Sequence, residues 1–428
     1  MNGGEPDEKI VAVIGLGYVG LALALLFLRK GFRVIGIDTD GARIRHLLEN
    51  MSYISDIADD EIAAANSSGR FDAGSDFEKV STADAIVICV PTPLDGRFEP
   101  DLHHLRQAGA SIRPFLRKGQ LVVLESSTYP GTTEEVLLPL LSFGGLEAGR
   151  DLFVGYSPER IDPGSLDHRD VESIPKIVSG VTDACRQRII RLYERVFHTV
   201  VPVSSVRTAE MVKIVENSQR LVNISFMNEL SRICRADGIS IWEVIEAAAT
   251  KPYGFTAYFP GPGVGGHCIP VDPLYLKWKA GRSGLQTRFI DIAHEINQAM
   301  PQDVVQLVCD ALKTNALAGK KILVVGVAYK KDVNDARESP AKPVIQKLID
   351  LGASVCYHDP YIPTFSLGAH ALTSVALAGE RIRQCDCVLI LADHTRVDYD
   401  WIAQEAALIV DTRNATRGIS GRTRVVRL

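Results

Sequence analysis

The chain has 428 residues, 46% hydrophobic and 23% charged, which suits a soluble globular enzyme of two or three domains with large buried cores. Its net charge of -5 gives no electrostatic ground for a nucleic-acid or acidic-membrane partner. The longest apolar run, Leu21 to Leu28, is far short of a bilayer span, and the polar start from Met1 to Lys9 does not read as a signal peptide, so a cytoplasmic location is expected.

Lys9-Ile-Val-Ala-Val-Ile14 predicts a buried strand, and Gly15-Leu-Gly-Tyr-Val-Gly20 follows at once. Leu21 to Lys30 reads as a helix, and Phe32 to Ile37 as a second strand closed by Asp38. A bare GxGxxG is weak evidence, but strand, glycine turn, helix, strand and terminal acid together form the dinucleotide fingerprint. Gly15, Gly17 and Gly20 admit a pyrophosphate to the helix N-terminus, where free N–H groups favour an anion. Asp38 can accept from both ribose hydroxyls and would repel a 2′-phosphate, which favours NAD over NADP. Arg43 could stack on the adenine or tolerate a phosphate.

Further strands are expected at Ala85 to Val90, Leu121 to Leu124 and Asp151 to Val154, giving a parallel sheet with ligands at its carboxyl ends. Thr92 and Thr128 stand at such ends, where a nicotinamide contact and a turn role are both open. From Val206 to Ala236 a long helical pattern carries Lys213, Asn217 and Arg220 on one face, either a solvated stripe or the lining of a site. Ala293 to Leu312 is a second helical region.

Between them lies Gly261-Pro-Gly-Val-Gly-Gly-His-Cys-Ile-Pro-Val-Asp-Pro273. Glycines and prolines fix a loop path there, and the loop presents one thiol, Cys268, with the carboxylate of Asp272 four residues on. A nucleophilic cysteine and a structural turn are the two readings. The eight cysteines are scattered without a CxxC pair, so a reducing compartment and no metal are expected.

After Leu317-Ala-Gly-Lys-Lys321, a second βαβ pattern starts at Ile322 to Val327, with strands near Val355 to Tyr357, Cys387 to Leu391 and Leu408 to Val410. It has one strand-end glycine and, in place of the others, Tyr329-Lys-Lys-Asp-Val-Asn-Asp-Ala-Arg-Glu-Ser339. Its cations suggest a diphosphate site that Arg413 could join. The expected architecture is α/β, two Rossmann-like doubly wound parallel-sheet domains joined by a long central helix. The expected boundaries are residues 1–203 for NAD, 204–316 for a central helical and dimerisation domain, and 317–428 for a UDP-binding domain. Alcohol dehydrogenation needs an acid/base group and no thiol, whereas a thiol beside a nicotinamide suits aldehyde oxidation. Both sets in one chain suggest a four-electron oxidation of alcohol to acid. A two-electron hydroxyacid dehydrogenase, or a non-catalytic NAD-dependent sensor, are the rival readings.

The motifs resemble those of the nucleotide-sugar 6-dehydrogenases over nearly the whole chain. The matching stretches are Gly15-Leu-Gly-Tyr-Val-Gly-Leu21, Glu125-Ser-Ser-Thr128, Pro158-Glu-Arg160, Lys213 with Asn217, Gly265-Gly-His-Cys-Ile-Pro-Val-Asp272 and Lys330-Lys-Asp with Arg337-Glu-Ser339. The resemblance implies Cys268 as covalent nucleophile, Lys213 as the group handling the C6 oxygen proton, and Asn217 at the oxyanion. Asp272 and Glu159 would manage the water and protons of thioester hydrolysis, with Thr128 beside them. Tyr18, Val19, Asp38, Thr92, Thr128 and Arg337 match cofactor contacts. Glu159, Arg160, Ile161, Lys213, Asn217, Arg220, Gly265, Tyr329 and Lys330 match positions that hold a UDP-sugar. Val271 and the stretch Lys251 to Pro260 are similar to the UDP-N-acetylhexosamine branch, the UDP-N-acetylglucosamine enzymes of surface-polysaccharide pathways above all. Some relatives carry a cross-subunit arginine where this chain has Pro252. A homodimer through the central helices is the expected assembly.

Overall fold

The computed structural model describes residues 9–54, 56–142, 145–160, 168–368, 370–419 and 423–428. It divides into two compact units, Met1–Glu216 with Leu274–Leu285, and Asn217–Pro273 with Gln286–Leu428.

In the first unit the strands are β1 (Ile10–Ile14), β2 (Arg33–Ile37), β3 (Phe71–Gly74), β4 (Ala85–Ile88), β5 (Leu121–Leu124), β6 (Phe153–Tyr156), β7 (Lys176–Gly180) and β8 (Val200–Pro202). They form one sheet in the order β3-β2-β1-β4-β5-β6-β7-β8. Strands β4 and β5 are buried along their length, as continuous apolar runs in a sheet covered on both faces must be. Helix α1 (Tyr18–Arg29) buries every residue from Gly20 to Leu28, because its sequence has no polar face to turn outward. The order reverses between β1 and β4, and the crevice at that switch point is where such sheets take ligands.

Three details of this sheet differ from the sequence reading. Strand β6 starts at Phe153 and not at Asp151, because the Asp151 carboxylate closes a turn by accepting from the Glu147 amide. The pairing of β6 with β7 is antiparallel, an interruption that the alternating pattern did not announce. Strand β4 also stops at Ile88, leaving Cys89 and Val90 beyond its end.

In the second unit, β9 (Lys321–Val325), β10 (Ser354–His358), β13 (Cys387–Ile390), β14 (Leu408–Asp411) and β15 (Arg424–Arg427) form a parallel sheet in the order β10-β9-β13-β14-β15. A separate hairpin pairs β11 (Thr364–Leu367) with β12 (His370–Thr373). Apolar clusters cover both faces, one including Val304, Val308 and Val344, the other Ile382, Val388 and Ile402. Helix α2 (Asp183–Glu194) packs on β7 in the first unit. Helix α3 (Val206–Ala236) is 31 residues long, and the division between units falls within it, after Glu216. Helices α4 (Asp272–Arg282), α5 (Arg288–Leu312) and α6 (Ala341–Asp350) follow, α5 beginning five residues before the sequence pattern suggested.

Candidate active site

In the first unit, the turn between β1 and α1 is packed solid on one side and open on the other. Gly15 has φ +88°, and a Cβ there would come within 2.7 Å of the Cys89 carbonyl oxygen. A Cβ on Gly20 would run into the Gly15 carbonyl, whereas one on Gly17 would meet nothing within 4 Å. Gly17 is also the N-cap of α1 and has no side chain to satisfy the helix's first N–H groups, with Tyr18 and Val19 half-exposed on that turn. The open space faces donors, the arrangement a pyrophosphate needs. Asp38 ends β2, its Oδ2 accepting from the Leu16 amide at 2.8 Å and from Arg43 Nη1 at 3.1 Å. Arg43 is thus paired with Asp38 and with Asp40. The residues fit NAD: a cradle that a side chain at position 17 would fill, and a carboxylate at the second strand end.

Past β5 the chain turns through residues 125–133. Thr92 Oγ1 donates to the Ser127 carbonyl at 2.6 Å, which ties the ends of β4 and β5 together. Tyr275, on α4, donates to the Thr92 carbonyl. Thr128 is 1% exposed, and its hydroxyl has no hydrogen-bond partner in the protein. A buried orphan hydroxyl is costly and marks a place where a ligand atom would complete it. Glu210, on α3, accepts from the Gly131 amide, the Thr133 amide at 2.8 Å and the Thr133 hydroxyl at 2.7 Å. It pins α3 to this turn one helical turn before Lys213, which is half-buried.

Glu159 and Arg160 follow β6. Glu159 is 4% exposed, and its Oε2 lies 2.9 Å from Lys176 Nζ. Lys176 also reaches Glu125 Oε2 at 2.7 Å. Burial pushes the Glu125 carboxyl up to about 7, against the pull of Lys176. Arg160 Nη1 donates to the Pro175 carbonyl at 2.9 Å, and its Nη2 lies 3.1 Å from Glu216. Ile161 falls outside the described residues.

In the second unit, the Cys268 loop has no regular structure and is held by side chains. The Asp272 amide returns to the Cys268 carbonyl at 2.9 Å, starting α4. Asp272 is 1% exposed, and its Oδ2 accepts from Asn217 Nδ2 at 2.7 Å. Asn228 Oδ1 accepts from the Gly261 amide at 2.9 Å. Asn297, on α5, accepts from the Val264 amide at 2.6 Å and donates back to the Val264 carbonyl at 3.4 Å. The glycines are where other chain comes close: a Cβ on Gly265 would lie 2.6 Å from the Glu338 carbonyl, and one on Gly266 2.8 Å from the Tyr329 ring. Arg413 lies against Gly261 in the same way and donates to the Leu391 carbonyl at 3.0 Å. Asn217 is buried and Arg220 half-buried, so these positions on α3 are not a solvated stripe.

The structure therefore gathers Asn217, Gly265, Cys268, Asp272, Tyr329 and Arg413 around one loop in the second unit. Lys330 is half-buried beside Tyr329. Arg337 is turned onto Asp335, its Nη2 2.8 Å from Oδ2, and belongs to the second unit. Sequence reasoning missed Lys176, Glu210 and Asn297. A lysine heading the apolar run Lys176-Ile-Val-Ser-Gly180 was the one signal available; the other two look like ordinary helix-surface residues.

Residues 9–197 match the NAD binding domain of the UDP-glucose/GDP-mannose dehydrogenase family, 207–299 its central domain and 323–418 its UDP binding domain. A UDP-N-acetyl-D-mannosamine dehydrogenase from Methanocaldococcus jannaschii is 35% identical over 95% of this chain and 92% of its own length. A UDP-N-acetyl-D-glucosamine 6-dehydrogenase from Pseudomonas aeruginosa is 38% identical over 82% and 83% respectively. Among solved structures, a UDP-D-ManNAc dehydrogenase from Pyrococcus horikoshii superposes with a TM-score of 0.88 at 30% identity, covering 98% of both chains.

Proposed function

The chain belongs to the UDP-glucose/GDP-mannose dehydrogenase family as an NAD-dependent UDP-sugar dehydrogenase, and we propose that it oxidises the C6 hydroxyl of a UDP-N-acetylhexosamine to the acid, UDP-N-acetyl-D-glucosamine first. The observation that carries this reading is the fixed pair of thiol and carboxylate: Cys268 on a loop closed by the Asp272 amide, with the Asp272 carboxylate held by Asn217. A two-electron dehydrogenase would have no use for it.

NAD, held at the Gly15–Gly20 turn and Asp38, would supply the hydride acceptor for C6, two being used per acid formed. Lys213 takes the proton of the C6 hydroxyl as the alcohol is oxidised. The Cys268 thiolate adds to the resulting aldehyde, with Asn217 donating to the oxyanion. After the second oxidation Cys268 carries the acyl group as a thioester. Water then cleaves it, with Glu159 and Asp272 taking and returning protons. Thr128 supplies a hydrogen bond at the reacting end of the site. Arg160, Arg220, Tyr329, Lys330 and Arg413 hold the UDP-sugar, and Arg337 is assigned to the cofactor.

The N-acetylhexosamine choice draws on Val271 and on the two relatives named for such sugars. Of those two, the glucosamine enzyme has the higher identity. The division at residues 1–203, 204–316 and 317–428 is part of the proposal, as is a cytoplasmic setting, where NAD and nucleotide sugars meet. A homodimer is supported by apolar side chains left exposed on α3 and α5, Phe226 at 51%, Ile233 at 53%, Phe289 at 80% and Ile292 at 56%. No helix among the described residues is long and apolar enough to cross a membrane.

The test is NADH formed per sugar consumed, with UDP-N-acetylglucosamine, UDP-N-acetylmannosamine, UDP-N-acetylgalactosamine and UDP-glucose in parallel. Two per sugar, fastest with the first, is expected. One per sugar, or Cys268→Ser retaining full turnover, would remove the four-electron reading in favour of a hydroxyacid-type dehydrogenase.

A further inference from the structure

Behind Glu159 stands a group that the reaction above does not use. Lys176 is 4% exposed, and its ammonium is shared between Glu159 Oε2 at 2.9 Å and Glu125 Oε2 at 2.7 Å. The Tyr193 hydroxyl, from α2, donates to the other oxygen of Glu125. The rings of Tyr193 and Phe197 lie 5.4 Å and 5.0 Å from the ammonium. The Cys89 thiol, from the end of β4, adjoins the same group, and its burial and the Glu125 charge hold it protonated. On the other side, the Arg160 amide donates to Glu159 Oε1 at 2.6 Å.

Such a cluster is a poor way to stabilise a fold. Burying three charged groups costs several kcal/mol each, and apolar residues of the same volume are commonly as stable. The arrangement has a particular asymmetry. Two carboxylates face one ammonium; Glu159 is the one at the chain segment assigned to substrate, and Glu125 is the one deeper in the sheet, at 1% exposure. An opposite charge at this distance favours the ionised form of a carboxyl, and a second carboxylate on the same cation weakens that effect.

We propose that Lys176 is a positioning residue for the hydrolytic half of the reaction. It fixes the Glu159 carboxylate and keeps it ionised, ready to take a proton from the attacking water, while Glu125 competes for the same ammonium and moderates its effect. This rests on the reading given under the proposed function, since Glu159 needs a thioester to act on. The step balances within that reading. The water O–H breaks and its proton goes to Glu159, the water oxygen bonds to the acyl carbon, and the C–S bond breaks with its electron pair returning to Cys268. The acid leaves, and Glu159 returns the proton to solvent.

The experiment compares the parent enzyme with Lys176→Met, Lys176→Arg and Glu125→Gln, using UDP-N-acetylglucosamine and NAD. NADH is followed with enzyme in excess and at steady state, intact mass reports any sugar adduct on Cys268, and kcat is profiled against pH. Lys176→Met is expected to keep the rapid first NADH burst and to accumulate the adduct. Its steady-state kcat at pH 7 should fall about 100-fold, and its acid limb should move up by about 1–3 pH units. Lys176→Arg should bring the limb back toward the parent. Glu125→Gln, which mimics the neutral carboxyl that Glu125 becomes as pH falls below about 7, should leave the limb at or below the parent's. Burst and steady state falling together in Lys176→Met, an acid limb unmoved in Lys176→Met, or one raised in Glu125→Gln, would overturn the proposal. Where Lys176→Met does not fold, Lys176→Gln is read for the same burst, adduct and limb shift. Failure of the underlying reading shows in the parent itself, as one NADH per sugar and no Cys268 adduct, and would remove both.

Discussion

The two large sheets of this chain place an aspartate at the same point, the end of the strand next to the first, and use it differently. Asp38 binds the Leu16 amide and Arg43 beside a turn with open space at Gly17. Asp359, after β10, accepts from the amides of Val327 and Ala328, at 2.7 and 3.0 Å, and is then capped by His394 Nε2 at 3.0 Å. The His394 ring is fully buried, and its Nδ1 accepts from the Asp332 amide, so the proton it gives Asp359 is on Nε2. The turn after β9 has one glycine, Gly326 at φ +81°, whose missing Cβ leaves room for Ala392 rather than for a ligand. In the second sheet, therefore, protein fills the places that correspond to the open turn and the strand-end carboxylate of the first. A shared topology sets where a ligand could bind, and a few side chains decide whether it can.

The largest effect that would sharpen this comparison is expected from Gly20→Ala, which forces the α1 turn off the Gly15 carbonyl. Overpacking of this kind should cost about 3 kcal/mol of stability and abolish NADH binding, read by thermal unfolding and by nucleotide fluorescence. His394→Leu strips a buried donor from Asp359 and orphans the Asp332 amide. We expect a loss of about 2 kcal/mol in urea unfolding, with NAD affinity unchanged. Gly17→Ala separates ligand from fold most cleanly, since its Cβ meets no protein atom. Its melting temperature should hold while NAD binds about tenfold more weakly, about 1.4 kcal/mol; a fall in melting temperature with unaltered affinity would break the comparison. The smallest effect is a pH dependence. Burial alone would raise the Asp359 carboxyl, but His394 and the Val327 and Tyr361 amides hold it below the usual range. A carboxyl depressed in the folded state adds stability above its unfolded value, about 3.9, and loses it as pH falls through the folded one. Asp359→Asn should flatten that acid limb of the unfolding curve.

Much of this was legible in the sequence, because the signals are local. The strand-turn-helix around Gly15 to Gly20 and the Gly-Pro loop around Cys268 state their backbone needs in consecutive residues. Two edge strands, β8 and β15, were not legible: β8 has only three residues, and β15 has arginine at both ends, so neither carries an apolar run of strand length. Nor were the long-range pairings. Asn217 with Asp272 spans 55 residues, and Lys176 with Glu125 spans 51, and nothing in either neighbourhood announces the other. The sequence picked out the groups assigned to the chemistry and, Asn217 apart, passed over those that hold them.

One such holder has a consequence for motion. Asn297 sits four residues before Pro301, which is buried within α5 and has no N–H to return to the Asn297 carbonyl. Its side chain meanwhile gives Val264 both a donor and an acceptor, as a neighbouring strand would. The loop thus has a one-residue ladder supplied by a helix. Amide hydrogen exchange should find Val264 protected far beyond the exposed Gly254, opening only when the α5 contact itself lets go. A segment drawn as irregular would then carry the kinetic signature of a sheet.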